Sequence, residues 1–257
     1  MSYYIAISNN LKKFVASLKR KEARDESRLF IAEGEKLCSE LVYSNYKTEL
    51  IVLSSKASDD AKKIAEMFHK KNIPVYIARK QQFEQLCDTK TPQSILAVVH
   101  NLDYQLSLNS PIIILESISD PGNFGTIIRT ADWFGINHII TGSNSVDKYN
   151  PKVIRSTMGS IFRCNIQYIE DLLPFLHKAS GDYEIYGASL KAKMTIEECK
   201  PKKKFILIFG NEAKGISQDI QSQLHFAYKI IGKGKAESLN LAVSVGISLY
   251  HFANCIK

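Results

Sequence analysis

Short apolar runs alternate with helical segments along most of this chain, and this alternation limits its fold more than any other feature. In the second half, the runs Ile112–Leu115, His138–Thr141 and Phe205–Phe209 read as buried strands, each followed by a polar turn. Strands that alternate with helices predict a mostly parallel sheet covered on both faces. The expected fold class is therefore α/β.

The polar segment 101–110 has neither helical nor strand periodicity and ends before Pro111. It is therefore expected to be a linker. On this interpretation, residues 1–100 form a small α/β domain and residues 111–257 form a second α/β domain. Both have a normal domain size.

Composition excludes some classes of protein and leaves others open. The formal net charge of +8 attracts phosphates, membranes or acidic proteins. The five cysteines are widely spaced without a CxxC pair, which predicts neither a zinc site nor a disulfide framework and fits a reducing cytoplasm. Residues 1–11 do not resemble a signal peptide. In the apolar segment 239–255, polar residues recur every three or four positions, which favours a packed helix over a membrane span.

Three segments of the second half place glycines and polar side chains where a predicted strand ends. They are residues 120–129, 209–215 and 237–242, and they follow the apolar runs 112–115, 205–209 and 228–231. Ligands of open α/β sheets bind outside the carboxyl ends of the strands, so one shared site in an enzyme is expected. The glycine-rich nucleotide motifs and the metal-binding motifs are missing from the sequence, and no metal is expected.

The polar residues of these segments are candidates for that site. Asn123 lies in a Pro-Gly turn where its side chain can cap a helix near residues 126–134. Arg129 follows early in that helix, and a helix N-terminus combined with a guanidinium favours phosphate. Each residue taken alone also fits an ordinary cap or a solvated surface arginine.

The other two segments contribute similar groups. Asn211 and Glu212 project from the turn directly after Gly210, where an ordinary polar turn is the alternative. Ser238 is expected to be the N-cap of the last helix, with Asn240 in its first turn. The occurrence of all three segments at strand ends is harder to explain as chance than any single residue.

Together these segments resemble the signature motifs of the SpoU (TrmH-like) RNA ribose 2′-O-methyltransferases of the SPOUT superfamily. Residues 150–163 are similar to the family's stretch between its first and second motifs. Residues 28–36 and 88–97 resemble the family's N-terminal RNA-binding domain, so the resemblance covers nearly the whole chain.

The resemblance implies a fold and a cofactor. The C-terminal domain would be a SPOUT-type α/β knot, a trefoil-knotted and mostly parallel sheet, and the N-terminal domain would be an L30e-like α/β/α sandwich. S-adenosylmethionine would be held largely by backbone groups, and a homodimer would form through the C-terminal domain. The residues implied in cofactor binding are Phe209, Gly210, Asn211, Ile230, Ile231, Gly232, Ser238, Leu239 and Asn240.

Two positions depart from the family's pattern. Ile231-Gly232 stands where Pro-Met is common, which puts side-chain contacts there in question more than backbone contacts. Ser244 stands where a small alanine is usual.

The implied reaction is methyl transfer to a ribose 2′-hydroxyl of ribosomal or transfer RNA. The family assigns removal of the hydroxyl proton to the arginine at position 129. Because guanidinium stays protonated in proteins, an alternative is that Arg129 holds the RNA phosphate and stabilises alkoxide charge. The residues that would orient Arg129, the ribose and the cofactor are Asn123, Glu212, Ser238 and Asn240.

Basic residues are concentrated between positions 12 and 28. A solvated amphipathic helix explains such a concentration as well as an RNA contact does, and the resemblance favours RNA. The implied RNA-binding residues are Lys19, Arg20, Lys21, Arg24, Arg28, Glu33 and Lys36.

Two other functions remain open: a non-catalytic RNA-binding protein on the same scaffold, and an α/β enzyme that uses another nucleotide.

Overall fold

A computed structural model describes residues 4–89, 91–103 and 109–256. The chain forms two compact units, one of residues 1–102 with 147–162 and the other of residues 103–146 with 163–257. Residues 104–108, at the centre of the predicted linker, lie outside the described residues.

The first unit is built on a five-stranded sheet. Its elements are β1 (Ile5–Ala6), α1 (Asn9–Ser17), α2 (Lys21–Ser27), β2 (Leu29–Glu33), α3 (Glu35–Val42), β3 (Thr48–Ser54), α4 (Asp59–Lys70), β4 (Val75–Ala78), α5 (Lys80–Leu86) and β5 (Ile95–His100). The strand order is β1-β4-β3-β5-β2, and β5 runs antiparallel to both of its neighbours. Strands β2 and β5 carry consecutive buried residues because helices or other chain segments cover both faces of the sheet.

Helix α4 forms as its sequence predicts. The Ser58 side chain accepts a hydrogen bond from the backbone N–H of Ala61, which satisfies one of the free donors of the first turn. Ala61, Ala65 and Phe68 recur at helical spacing and are buried. The cap and the apolar face together explain why this segment is helical.

Residues 147–162 pack within the first unit, although the predicted boundaries give them to the second domain. Their helix α7 (Pro151–Ser156) contacts β2. The Tyr149 ring stacks on Phe30 with centroids 4.4 Å apart, and the Tyr46 hydroxyl donates to the carbonyl of Ile161 across 3.3 Å. Aromatic partners far away in sequence therefore decide where this segment belongs.

The second unit is built on a seven-stranded sheet in which each pair of neighbouring strands is parallel. Its elements are β6 (Ile112–Leu115), α6 (Pro121–Trp133), β7 (His138–Thr141), β8 (Asn165–Tyr168), α8 (Leu172–Ala179), β9 (Glu184–Ala188), β10 (Met194–Thr195), β11 (Phe205–Phe209), α9 (Gln218–Gln221), β12 (Phe226–Lys229) and α10 (Leu241–Cys255). The strand order is β10-β12-β9-β11-β6-β7-β8. The predicted parallel α/β sheet is confirmed.

The core of this sheet lies at its centre. All residues of β6 and β11 are buried, as the uninterrupted apolar runs predict. Alternate residues of these strands, such as Ile114 and Ile208, pack with Leu172 and Leu176 of α8. Side chains buried in this way stabilise a fold by about 1.5–3 kcal/mol each.

The apolar segment near the C-terminus is a helix, α10, that packs against α6. Its Val245, Leu249 and Phe252 are buried, and the Tyr228 hydroxyl donates to Ser248 Oγ across 2.8 Å. Among residues 4–89, 91–103 and 109–256, no helix has the length and apolar character that crossing a membrane requires.

Candidate active site

The first two motif segments leave the sheet side by side. Strands β6 and β11 are parallel neighbours, and Leu115 pairs with Phe209 at their last positions. Because parallel strands end at the same edge of a sheet, the loops that follow them meet there. The third segment follows β12 and leads into α10 at residue 241.

Helix α6 begins five residues earlier than its sequence predicts. Asp120 is its N-cap, with the side chain accepting from the backbone N–H of Asn123 across 2.7 Å, and Pro121 is the first helical residue. The ordinary alternative for Asn123, that it serves as the cap of this helix, is therefore excluded. Proline suits the first helical position because its missing N–H would have no partner there. Since Asp120 caps the helix, the amide of Asn123 is available to other loops.

Glu212 joins the second motif loop to the first. Its two carboxylate oxygens accept from Ser119 Oγ at 2.9 Å, from the Asp120 N–H at 3.2 Å and from Asn123 Nδ2 at 3.4 Å. The Ser119 N–H and Asn211 Nδ2 also donate to it, both across 3.4 Å. Five donors fill the acceptor capacity of one carboxylate.

Partial burial acts to raise the pKa of the Glu212 carboxyl. Hydrogen bonds from its own backbone N–H, from the Asp120 N–H and from the Ser119 and Asn123 side chains outweigh this effect and lower the pKa below its ordinary value. The carboxylate is therefore held in its charged form, as a structural acceptor.

Asn240 joins the third motif segment to the same network. Its Nδ2 donates to Asn123 Oδ1 across 2.9 Å, and its Oδ1 accepts from the Ala242 N–H across 2.9 Å at the start of α10. Asn240, and not Ser238, is thus the N-cap of this helix, so the prediction for Ser238 is wrong. Ser238 lies two residues before the cap and is exposed.

The turn after β11 is closed tightly around Gly210. A Cβ atom at this position would lie 2.0 Å from the backbone carbonyl carbon of Gly215, which no side chain tolerates. Asn211 and Gly215 exchange two backbone hydrogen bonds of 3.0 and 2.9 Å, and Gly215 adopts a φ of 70°. The glycines therefore fix the loop that presents Glu212.

Arg129 lies on α6 and its side chain is exposed. Within the described ranges, which omit 1–3, 90, 104–108 and 257, its guanidinium forms no hydrogen bond and no ion pair. A guanidinium without a protein partner is available to an external anion.

A cavity of about 880 Å³ opens beside these loops. All of the predicted cofactor-binding residues except Asn240 line it, and so does Glu212. Asn123 and Arg129 do not. The cavity has the size that small-molecule sites usually have.

The sequence prediction missed another part of this lining. Ala188 is the last residue of strand β9, and Ser189 and Leu190 follow it; the neighbours of β9 are β11 and β12. Their signal was present, because residues 183–188 also read as a strand and the same rule on strand ends applies to them. Lys229, Ser244 and Ile247 had no such signal and also line the cavity.

The lining fits S-adenosylmethionine, the cofactor that the resemblance implies. Leu190, Ile231 and Leu239 are exposed apolar side chains of the lining, a kind of surface that an adenine ring can pack against. Residues 231–239 make no hydrogen bond to any other residue that the structure describes, so their backbone groups are available to a ligand. In the described part of the chain, no group of three or more His, Cys, Asp or Glu side chains is arranged to hold a metal ion.

The predicted RNA-binding residues of the first unit fall into two groups. Arg20, Lys21 and Arg28 are exposed. Lys36 is also exposed and pairs with Glu40 across 2.5 Å, while Lys19 donates to the carbonyl of Gln85 across 2.7 Å. These five side chains reach the surface of the unit or lie close to it.

Arg24 and Glu33, by contrast, are buried, with 3% and 9% of their surface exposed. Arg24 Nη2 lies 2.6 Å from Asp147 Oδ2, and its Nη1 donates to the carbonyls of Leu18 and Lys19. The Glu33 carboxylate accepts from the Asp88 N–H across 2.9 Å and from the Thr89 hydroxyl. Because internal partners satisfy both groups, they hold the unit together and are not presented to RNA.

Comparison with known families assigns both halves of the chain. The SpoU rRNA Methylase family matches residues 110–250, and the MRM3-like substrate binding domain matches residues 9–97. The 23S rRNA (guanosine(2553)-2′-O)-methyltransferase RlmP of Bacillus subtilis is 30% identical over 240 residues, which cover 91% of this chain and 92% of that protein.

Solved structures agree with this assignment. An AdoMet-bound rRNA methyltransferase from Sinorhizobium meliloti has a TM-score of 0.84 and 26% identity, covering 96% of this chain and 95% of that one. The SpoU methyltransferase AviRb from Streptomyces viridochromogenes has a TM-score of 0.85 and 20% identity, covering 96% and 97%, and shows the likeness of fold alone. The chain belongs to the SpoU rRNA Methylase family.

Proposed function

We propose that this protein transfers a methyl group from S-adenosylmethionine to a ribose 2′-hydroxyl of ribosomal RNA. The observation that carries the proposal is the network in which Glu212, Asn123 and Asn240 join three motif loops beside the cavity. The relative RlmP acts on a guanosine of 23S rRNA, which makes 23S rRNA the first substrate to test.

The cavity residues are proposed to hold the cofactor. Phe209, Gly210 and residues 230–234 and 236–239 line it and offer apolar side chains and available backbone groups. Bound there, the cofactor supplies a methyl group already activated on a sulfonium. The contribution of the protein is to hold the methyl donor and the ribose hydroxyl in a reactive orientation. Such orientation can lower the activation barrier by about 7–11 kcal/mol.

Arg129 is proposed to act on the RNA side of the reaction. Its exposed guanidinium has no partner in the described chain, so it can bind a backbone phosphate and stabilise negative charge on the 2′-oxygen as the proton leaves. Asn123 lies six positions earlier on the same helix, and the Glu212 carboxylate fixes its amide. Ser238, exposed next to this network, is proposed to contact the ribose or the cofactor.

RNA capture is proposed for the first unit through Lys19, Arg20, Lys21, Arg28 and Lys36. The match of residues 9–97 to a substrate binding domain supports this role. Contacts to the RNA backbone should weaken as salt is added.

A homodimer through the second unit is also proposed. Val243, Ile247 and Tyr250 form a stripe on α10 with 50%, 37% and 63% of their surface exposed. Trp133 of the neighbouring helix α6 is 85% exposed and lies one helical turn after Arg129. An apolar surface of this kind marks an interface, and a dimer formed through it would bring Arg129 near the partner.

Two further expectations from the resemblance remain proposals. One is that the second unit is threaded as a trefoil knot. The other is a cytoplasmic location, which the unpaired state of all five cysteines supports.

The proposed activity is tested by incubating the purified protein with S-adenosylmethionine and ribosomal or transfer RNA, then mapping ribose methylation by mass spectrometry. We expect one new 2′-O-methyl nucleotide in 23S rRNA, and its formation at least about a hundredfold slower with Arg129→Ala. Methylation confined to a base, or to transfer RNA, would contradict the proposed reaction or the proposed substrate respectively.

A further inference from the structure

Four charged residues line the cavity, and they differ in what they bind. They are Glu212, Lys229, Lys233 and Glu237. Five donors already occupy the Glu212 carboxylate. The other three side chains make no ion pair and no hydrogen bond with any part of the chain that the structure describes.

Lysines of the second unit differ in whether they have an internal partner. Lys202 Nζ lies 3.2 Å from Glu184 Oε1 in the same unit. Lys229, Lys233 and Glu237 thus bring two unpaired cations and one unpaired anion to the wall of a single cavity. Charges of both signs in one concave site favour a ligand that itself carries both signs.

S-adenosylmethionine carries a positive charge on its central sulfonium and charges of both signs at its amino-acid end. The amino-acid portion has a carboxylate and an ammonium group, whereas the adenosine portion is neutral. The apolar and backbone groups of the lining suit the adenosine portion, and the three unpaired charges suit the amino-acid portion.

The two lysines are held in different ways. Lys229 is the last residue of β12 and pairs with Thr195 of β10, so the sheet fixes its backbone. Lys233 lies between Gly232 and Gly234, where an added Cβ would meet nothing within 4 Å. Lys229 can therefore position a ligand, and Lys233 can adjust toward it.

We propose that Lys229 and Lys233 bind the carboxylate of the amino-acid portion of S-adenosylmethionine and that Glu237 binds its ammonium group. The inference rests on the proposed function and adds to it the residues that recognise this end of the cofactor. Charged hydrogen bonds of this kind are stronger than neutral ones.

Isothermal titration calorimetry tests the proposal with two ligands that share the adenosine portion. S-adenosylhomocysteine keeps the amino-acid portion, and 5′-methylthioadenosine lacks it. We expect Lys229→Met and Lys233→Met each to weaken S-adenosylhomocysteine binding about tenfold or more, and Glu237→Gln to do the same. Binding of 5′-methylthioadenosine should change less than about twofold.

Lys235→Met is the matched control. Lys235 lies in the same loop and carries the same charge, but it does not line the cavity. Its replacement should leave the affinity for both ligands unchanged. Thermal unfolding of each variant identifies any that do not fold, and Lys→Gln and Glu237→Asp variants then replace those.

The proposal is overturned if the lysine variants weaken the binding of both ligands equally, or if they weaken the binding of neither. Equal weakening by Lys235→Met would also overturn it, because general electrostatic attraction would then explain the effect. Failure of the wild-type protein to bind either ligand would be a different result, since it would overturn the proposed function together with this inference.

Discussion

Asn240 Nδ2 donates a hydrogen bond to Asn123 Oδ1 across 2.9 Å, although the two residues are 117 positions apart in the chain. Asn123 Nδ2 donates onward to Glu212, and Asn240 Oδ1 accepts from the backbone at the start of α10. Each amide therefore has one defined orientation, because a flip would set two acceptors or two donors against each other.

Asn240→Asp should lower activity without unfolding the protein. Aspartate caps a helix as well as asparagine does, so the free energy of unfolding should change by less than about 1 kcal/mol. The donor to Asn123 is lost, however, and a carboxylate oxygen would face the Asn123 oxygen. We expect kcat to fall at least about tenfold in a methylation assay, and an unchanged kcat would show that this hydrogen bond does not matter for turnover.

The Glu212 carboxyl gives an acid limit to the stability of the second unit. Its pKa is lowered in the folded state, so its contribution is present above the unfolded pKa and is lost as pH falls through the folded pKa. Glu212→Gln should therefore lose stability at neutral pH and flatten the acid side of a plot of Tm against pH. A variant whose acid side parallels that of the wild type would contradict this role.

Arg129→Ala should separate binding from turnover. The side chain has no partner among residues 4–89, 91–103 and 109–256, so Tm and cofactor affinity should stay unchanged. We expect kcat to fall about 10²–10³-fold, as when a group that stabilises transition-state charge is removed. Arg129→Lys should recover part of the rate if charge is what matters, and activity near the wild-type value in Arg129→Ala would remove this residue from the mechanism.

Arg24→Met should lower the stability of the first unit, whereas Lys21→Met should weaken RNA binding. Arg24 is buried and pairs with the half-buried Asp147, so its loss removes the counter-ion of that carboxylate and should destabilise the unit by about 3–5 kcal/mol in denaturant unfolding. Lys21 is exposed, and its loss should change stability by less than about 0.5 kcal/mol. For Lys21→Met, we expect weaker RNA binding with a smaller dependence on salt. If Arg24→Met weakened RNA binding while unfolding like the wild type, Arg24 would be an RNA contact after all.

Tyr250→Asp should shift the protein from dimer to monomer. The change places a charge in the exposed stripe of α10, where it would be buried against a second copy at a cost of several kcal/mol. Tyr168→Asp is the control, because Tyr168 is 58% exposed on β8 and lies outside that stripe. The masses are compared by light scattering, and equal masses for Tyr250→Asp and wild type would exclude this interface.

The strand ends of the second unit could be predicted from sequence. The apolar runs of β6 and β11 are continuous because both faces of these strands are buried, and the motif residues follow directly. Helix starts were harder to place. Four residues near these helix starts have side chains that cap helices well: Asp120, Asn123, Ser238 and Asn240. Only the tertiary contacts of Asn123 and Asn240 determine which of the four are the actual caps.

The role of a charged residue was the least predictable feature. Arg24 lies among solvated basic residues and has the same local pattern, yet its partner Asp147 is 123 positions away. No local periodicity carries that information. The cavity lining after β9 was missed for a different reason, because Ala188, Ser189 and Leu190 carry no polar motif to draw attention to them.

The placement of residues 147–162 bears on how this protein can be divided. Residues 147–162 belong to the first unit but lie in sequence between two parts of the second, so neither unit is one continuous stretch of sequence. A fragment that starts at residue 111 would carry Tyr149 and Asp147 without Phe30 and Arg24. Its complement would in turn keep a buried arginine with no counter-ion. Truncation at position 110 is therefore expected to yield two aggregation-prone pieces, and a circularly permuted or full-length chain is the sound starting point for dissecting either half.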